Sequence, residues 1–140
     1  MVTQRATISR HIGDVGRRVF TSRCLSRLFA RWNHSHPAYV FGVDGDPTTL
    51  CYLLTVDKIG KAQAAHIHER RRGTNGPVVA NLAAPADGNA GDCLTEGEPG
   101  KFEGGQTVAE ILEQPRKYYV NVHNNKFPDG ALRGQLKPER

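Results

Sequence analysis

From Tyr39 onward the chain consists of short runs rich in apolar, aromatic and β-branched residues, separated by Gly, Pro, Asn and Asp. Such runs are typical of β-strands, and the separating residues favour turns. The pattern predicts six strands, at residues 39–43, 48–56, 62–68, 78–82, 117–123 and 131–136. Six short strands predict an all-β protein, either an antiparallel β-sandwich or a Greek-key-like barrel.

One short helix is predicted between the fourth and fifth of these strands. Thr107 and Glu110 have the spacing of a capping box, and Pro115 ends the helix. The apolar residues Val108 and Ile111 then share a face with Leu112 that can cover one end of the sheet.

Size and composition restrict the architecture further. A chain of 140 residues and 15.4 kDa builds one core, and its 15 Gly and 8 Pro indicate many turns. The mean hydropathy is −0.52, and no uncharged apolar run approaches the roughly 18 residues of a transmembrane helix. We therefore expect a protein without a membrane span.

The positive charge is concentrated at the N-terminus. The net charge is +5, but residues 1–36 hold seven Arg and one acid, Asp14, whereas residues 37–140 hold 12 Lys and Arg against 13 Asp and Glu. Nucleic acid is therefore not an expected partner of the β-rich part. The sequence predicts a basic tail at residues 1–37 and one domain at residues 38–140.

The tail lacks the apolar core of a secretion signal and is rich in Arg and hydroxyl residues, as transit peptides are. Residues 15–32 could form one amphipathic helix. The simpler interpretation is a disordered leader, and the alternative is an arm that binds nucleic acid or a membrane surface.

Two of the three cysteines lie in the β-rich part. Cys51 is in a predicted strand, and Cys93 is in the 24-residue stretch 83–106, which is predicted to be a loop; Cys24 lies in the tail. A loop of that length is uncommon unless it has a function or is pinned. A Cys51–Cys93 disulfide would pin it and would indicate a secreted or periplasmic protein. The alternative is two unrelated thiols in a reducing compartment.

Three histidines lie at predicted strand ends. His66 and His68 are two residues apart on one strand and therefore share a face, and His123 shares a face with Tyr119 and Asn121 on another. If Ile67 faces the core, all three imidazoles emerge on one side. Neutral imidazoles suit Zn or Cu, so the spacing predicts a candidate metal site.

The alternative for these histidines is structural. They could hydrogen-bond loop carbonyls and the Asn124–Asn125 turn without any ligand. The nearest carboxylates in sequence, Glu69 and Asp129, are more simply a solvated charge and a turn residue. No catalytic residue is therefore assigned, and no cofactor is required by the sequence.

A turn follows the third histidine. Pro128 presets φ in a Phe-Pro-Asp-Gly turn, and Gly130 takes the positive φ. On the closing strand, just before Gly134, the guanidinium of Arg133 could reach a carboxylate, either structurally or to hold an acidic ligand. The Arg70–Arg71–Arg72 run is interpreted as a solvated loop, with capture of an anionic polymer such as a sulfated glycan as the alternative.

Four motifs together resemble one known family. Residues 65–68 (AHIH), 76–79 (GPVV), 118–123 (YYVNVH) and 127–136 (FPDGALRGQL) look like the CHRD domain, named after repeats in chordin, over about residues 38–136. The resemblance implies an extracytoplasmic β-sandwich with a structural or binding role and no inherited enzymatic activity. Cysteines recur at the positions of Cys51 and Cys93 in simple microbial members, which supports the disulfide. Asn121, Pro128, Gly130, Arg133 and Gly134 belong to the structural motif.

The resemblance also carries expectations about partners. It implies an extracellular or periplasmic location and an extracellular protein or glycan as partner. Members usually have one or two strands ahead of Tyr39, where this chain has its Arg-rich tail. If that strand is lost, the sheet edge could pair with a second copy. A fold-level analogy with Cu/Zn superoxide dismutase makes redox activity an alternative, but that enzyme needs more ligands than three histidines.

Overall fold

The structure of the protein is a computed structural model that describes residues 27–32 and 37–139. The strands of this part of the chain are β1 (Arg27–Arg31), β2 (Pro37–Val43), β3 (Asp46–Thr55), β4 (Ala62–Glu69), β5 (Val78–Leu82), β6 (Asn89–Thr95), β7 (Tyr118–Asn124), β8 (Leu132–Gln135) and β9 (Lys137–Pro138). A helix, α1 (Val108–Glu113), and a 3₁₀ turn at Pro115–Lys117 precede β7. All six predicted strands are confirmed, with bounds that differ by at most two residues.

The strands form two antiparallel sheets packed face to face. The first sheet has the order β9-β1-β2-β3-β6, and the second has the order β5-β4-β7-β8. Side chains from both sheets build one hydrophobic core that includes Leu28, Val40, Leu50, Tyr52, Leu54, Ala65, Ile67, Val79, Leu94, Val120, Val122 and Leu136. The predicted all-β sandwich is therefore confirmed.

Strand β1 lies inside the segment that the sequence pattern assigned to the tail. Phe29 pairs with Tyr39 of β2 on one side and with Lys137 of β9 on the other. Leu28 and Ala30 are buried in the core. They share one face of the strand, because successive side chains of a strand point to opposite faces. The tail interpretation is therefore wrong for residues 27–31, and so is a helix there. Residues 15–26 of that helix lie outside the described residues.

The edge of β2 is consequently paired. A strand does precede β2, because β1 pairs with it, so the exposed edge that a lost strand would leave is absent there. Within the described residues, the edge strands of the first sheet are β9 and β6. The argument for a homodimer through an exposed β2 edge loses its premise.

The predicted loop at residues 83–106 contains strand β6. Cys93 lies on this strand, directly opposite Cys51 of β3, and the two form a disulfide with an S–S distance of 2.00 Å. The predicted pairing is confirmed, but the placement of Cys93 in a loop is wrong. Strand β6 buries only Leu94 among its large side chains, so its sequence lacks the apolar alternation of a central strand.

The predicted helix is confirmed with its capping box. The Thr107 hydroxyl accepts a hydrogen bond from the backbone N–H of Glu110, and the Glu110 carboxylate accepts one from the N–H of Thr107. Val108 and Ile111 are fully buried against the core. The helix closes one end of the sandwich over β2 and β3.

Candidate functional site

The three histidines meet on the outer face of the second sheet. Strand β4 places His66 opposite Asn121 of β7 and His68 opposite Tyr119. The next pair on the same face of the sheet is Ala64 of β4 and His123 of β7. Ile67, between the two histidines of β4, is fully buried on the inner face. One ring nitrogen from each histidine lies within 4.8 Å of the other two. The predicted convergence of the three imidazoles is therefore present.

Two of the imidazoles are held by loop carbonyls. His68 Nδ1 lies 2.8 Å from the carbonyl oxygen of Gly76, and His123 Nδ1 lies 2.8 Å from that of Pro128. A carbonyl only accepts hydrogen bonds, so both Nδ1 atoms carry the proton and, in the neutral rings, both Nε2 atoms carry a lone pair. The structural interpretation, in which these histidines hydrogen-bond loop carbonyls, and the convergence of the three rings are therefore both present.

The third imidazole connects the first two. His66 Nδ1 lies 3.1 Å from His123 Nε2, and the His66 ring is 5.6 Å from the His68 ring between centroids. His68 Nε2 is buried and has no hydrogen-bond partner among the described residues. A buried lone pair without a partner is destabilising unless another group satisfies it.

The surroundings keep two of the histidines neutral. Burial lowers the pKa of His66, and the neighbouring His123 and His68 lower it further. Burial also lowers the pKa of His68, against a raising contribution from the hydrogen bond to Gly76. Electrostatic interaction with His123 and with the Arg133 guanidinium adds to the lowering of the His68 pKa. Neutral imidazole is the form that binds metal ions.

Tyr119 supports His68 from the neighbouring strand. The two rings are stacked, with centroids 4.9 Å apart and planes 8° apart. The hydroxyl of Tyr119 accepts a hydrogen bond of 3.0 Å from the N–H of Gly76, whose carbonyl holds His68. Sequence alternation placed Tyr119 on this face, but its link to Gly76 depends on a loop that the alternation does not describe.

Arg133 covers the other side of this arrangement. Its guanidinium lies 3.5 Å from the centroid of the Tyr119 ring and donates to the Asn75 side-chain oxygen and the Arg71 carbonyl. The sequence suggested a carboxylate partner, and among the described residues none pairs with Arg133. Arg133 fixes the loop that follows β4 over the sheet, and that loop supplies the carbonyl of Gly76.

The turn after β7 is closely packed. Asn121 is buried and donates to the carbonyl of Asp129 at 3.3 Å. Gly130 has φ of 133°, and a Cβ there would lie 2.4 Å from the Asn121 side-chain oxygen. Gly134 is also closely packed, since a Cβ would lie 2.9 Å from the Cβ of Ala30. This turn brings the carbonyl of Pro128 to His123.

The cluster contains no carboxylate among the described residues. Glu69 is half-buried and accepts from the Gln106 side chain at 3.3 Å, and it also hydrogen-bonds Tyr118. Burial and the nearby Glu69 charge raise the pKa of Tyr118 to about 12. The prediction of Glu69 as a solvated charge is therefore wrong. Asp129 is exposed and lies in the turn, as predicted.

Among known protein families, the CHRD domain matches residues 37–136. The chain belongs to the CHRD family. The CHRD domain is generally non-enzymatic and typically extracellular. No curated protein and no solved structure matches the chain. Within the described residues of this CHRD domain, no helix has the length and apolar character needed to cross a membrane.

Proposed function

We propose that this CHRD domain is an extracytoplasmic, non-enzymatic binding module that holds one Cu or Zn ion on His66, His68 and His123. The observation that carries the proposal is the buried, unpartnered Nε2 of His68 in a group of three histidines, each of which has one ring nitrogen within 4.8 Å of one on each of the other two. A bound ion would accept that lone pair and remove the cost of burying it.

The hydrogen bonds to the rings match those of known histidine ligands. Metal-binding imidazoles usually donate their second ring N–H to a carbonyl or carboxylate, which fixes the tautomer and the ring orientation. His68 has this bond to Gly76, and His123 has it to Pro128. His66 Nδ1, now hydrogen-bonded to His123, would lose its proton or present the other nitrogen when the ion enters.

The donor set favours Cu and Zn over harder ions. Three imidazole nitrogens without a carboxylate suit these two metals, whereas Ca and Mg prefer oxygen ligands. Three protein ligands leave a fourth position open for water or for a group on a partner. The proposal concerns binding and includes no reaction.

An extracytoplasmic location is supported by two independent features. The Cys51–Cys93 disulfide is stable in an oxidising compartment, and the CHRD domain is typically extracellular. Binding, rather than catalysis, is also the general property of the family.

The metal proposal is tested by titrating the oxidised full chain with Cu(II) and with Zn(II) in a calorimeter. The test variant is His66→Ala/His68→Ala. The matched control is His34→Ala/His36→Ala, which removes a histidine pair of the same spacing from elsewhere in the chain. We expect one tight site that the test variant loses and the control keeps. Equal binding by both variants, or loss of the site in the control alone, would overturn the proposal.

A further inference from the structure

A basic groove lies at the seam where the chain passes from one sheet to the other. It has a volume of about 1050 Å³ and borders β1, β8, β9, the 3₁₀ turn and the loop after β4. Among the described residues, its lining includes no acid and seven cations, Arg31, Arg71, Arg72, Arg116, Lys117, Arg133 and Lys137. A concave surface of one charge concentrates ions of the opposite charge.

This concentration of cations contrasts with the overall charge of the domain. Residues 37–140 contain 12 Lys and Arg against 13 Asp and Glu, and six of those 12 cations line the groove. A near-neutral domain has therefore gathered half of its positive charge on one concave surface. Random placement of solvated charges would intersperse both signs.

Several of these cations are held in place by aromatic rings. Arg133 stacks on Tyr119, and the side-chain nitrogen of Lys137 lies 5.0 Å from the centroid of Phe29. Arg31 also faces the Phe29 ring, at 5.7 Å. Such contacts reduce the conformational freedom that a ligand would have to remove, so binding is less costly in entropy.

Other cations of the groove lack an anionic partner. Arg71, Arg72, Arg116 and Lys117 are exposed and make no ion pair within the described residues. Four like charges that line one groove without counter-charges repel each other. An anionic ligand would relieve this repulsion and could receive paired hydrogen bonds from the Arg side chains.

A second depression extends the groove along the first sheet. It has a volume of about 530 Å³ and shares Arg31, Arg116 and Lys137 with the groove. It adds the rings of Phe29 and Tyr39, which are paired neighbours on β1 and β2. The depression also contains one acid, Glu139, which forms an ion pair with Arg27 at 3.1 Å. The combined site therefore offers mostly cations beside an apolar surface, which suits a ligand with anionic groups and carbon-rich faces.

We infer that this groove binds an acidic polysaccharide, through sulfate or carboxylate groups on the cations and a sugar ring on Phe29 and Tyr39. A polysaccharide fits the open, extended shape and the extracellular setting of the family better than a nucleic acid does. The inference is independent of the metal proposal, since none of the three histidines lines the groove.

The test measures binding of the full chain to dextran sulfate and to polygalacturonate in 150 mM NaCl with EDTA present. Uncharged dextran and a single-stranded oligonucleotide of matched charge serve as the comparison ligands. The test variants are Arg71→Gln/Arg72→Gln and Arg116→Gln/Lys117→Gln. The control, Lys61→Gln/Lys126→Gln, removes the same charge from exposed positions outside the groove. Residues 1–26 are present in every variant, so their Arg content cancels in the comparison.

We expect at least one of the two acidic polysaccharides to bind, each groove variant to weaken that binding at least tenfold, and the control to weaken it less than twofold. The ligand that binds distinguishes sulfate from carboxylate. Backbone amide signals of Gly73 and Gly134, which line the groove, should shift on binding. Equal weakening by the control, or oligonucleotide binding as tight as that of the polysaccharide, would overturn the inference.

Discussion

The ring of Tyr119 lies parallel to the imidazole of His68, with 4.9 Å between the centroids and 8° between the planes. The same tyrosine accepts a hydrogen bond from Gly76, and Gly76 in turn accepts one from His68. Tyr119 therefore fixes both the orientation of the imidazole and the position of the carbonyl that selects its tautomer. The geometry of the candidate metal site depends on this contact as much as on the spacing of the histidines.

The Tyr119 hydroxyl should stabilise the fold. In Tyr119→Phe the ring stacking persists, but the N–H of Gly76 loses its partner, so the free energy of unfolding should fall by about 1–2 kcal/mol. Urea denaturation measures the change. The control is Tyr39→Phe, whose hydroxyl has no hydrogen bond within the described residues and which should change stability by less than about 0.5 kcal/mol. Equal losses would contradict a specific role for the Gly76 bond.

Strand β1 should contribute to the core. Leu28 is 2% exposed, so Leu28→Ala should lower the free energy of unfolding by about 2–5 kcal/mol. Leu53 is 54% exposed on the outer face of the same sheet, and Leu53→Ala should lower it by less than about 1 kcal/mol. Chemical denaturation of the two variants compares them directly. If Leu28→Ala had no effect, residues 27–31 would belong to a tail rather than to the first sheet.

Much of the fold could be predicted from the short β-rich runs, but three strands of the first sheet, β1, β6 and β9, could not. The six predicted strands are rich in aliphatic and aromatic residues, whereas β6 (Asn89–Thr95) buries little besides Leu94. An edge strand pairs on one side only and can be polar, so its residues resemble a loop. Strand β1 was missed because its five residues follow an Arg-rich segment and contain two Arg themselves.

The candidate metal site could also be predicted only in part. The spacing of His66 and His68 on a strand fixes their common face, and the register of β7 brings His123 to it. The supporting contacts come from loops distant in sequence, such as the bond from Arg133 to Asn75, 58 residues apart. No local pattern encodes such a contact, because it depends on where the two sheets and their loops meet.

The disulfide should account for a large part of the stability. It links residues 42 positions apart, for which the loss of chain entropy in the unfolded state corresponds to roughly 4 kcal/mol. Cys51→Ser/Cys93→Ser should therefore lower the free energy of unfolding by about that amount, and Cys24→Ser should not lower it. Mass spectrometry of the non-reduced chain should show the Cys51–Cys93 peptide. Two free thiols in the native protein would contradict both the linkage and the extracytoplasmic location.

Stability should decrease on mild acidification. Burial lowers the pKa of His66 and His68 below the ordinary 6.5, so the unfolded chain binds more protons than the folded chain just below that pH. The free energy of unfolding is therefore fully retained above pH 6.5 and falls as the pH is lowered through that value toward 5. Denaturation of the metal-free chain at several pH values measures this slope.

The matched variants for this pH dependence are two double substitutions. His66→Gln/His68→Gln should flatten the slope between pH 7 and pH 5, and His34→Gln/His36→Gln should leave it unchanged. If the free energy of unfolding of the first variant kept the same pH dependence, groups other than these histidines would cause it. The carboxylate of Asp46, whose pKa is lowered by hydrogen bonds to Thr49 and Thr48, titrates below this window.

The account rests on three imidazoles that each give one ring nitrogen to a single ion. Histidine ¹⁵N spectra recorded before and after addition of one equivalent of Zn(II) test this most directly. The metal-free chain should show a proton on Nδ1 of both His68 and His123, because each of these atoms faces a carbonyl oxygen. Zinc should then shift the ring nitrogens of His66, His68 and His123 together. Unchanged spectra for these three rings, or shifts at the other histidines alone, would contradict the account.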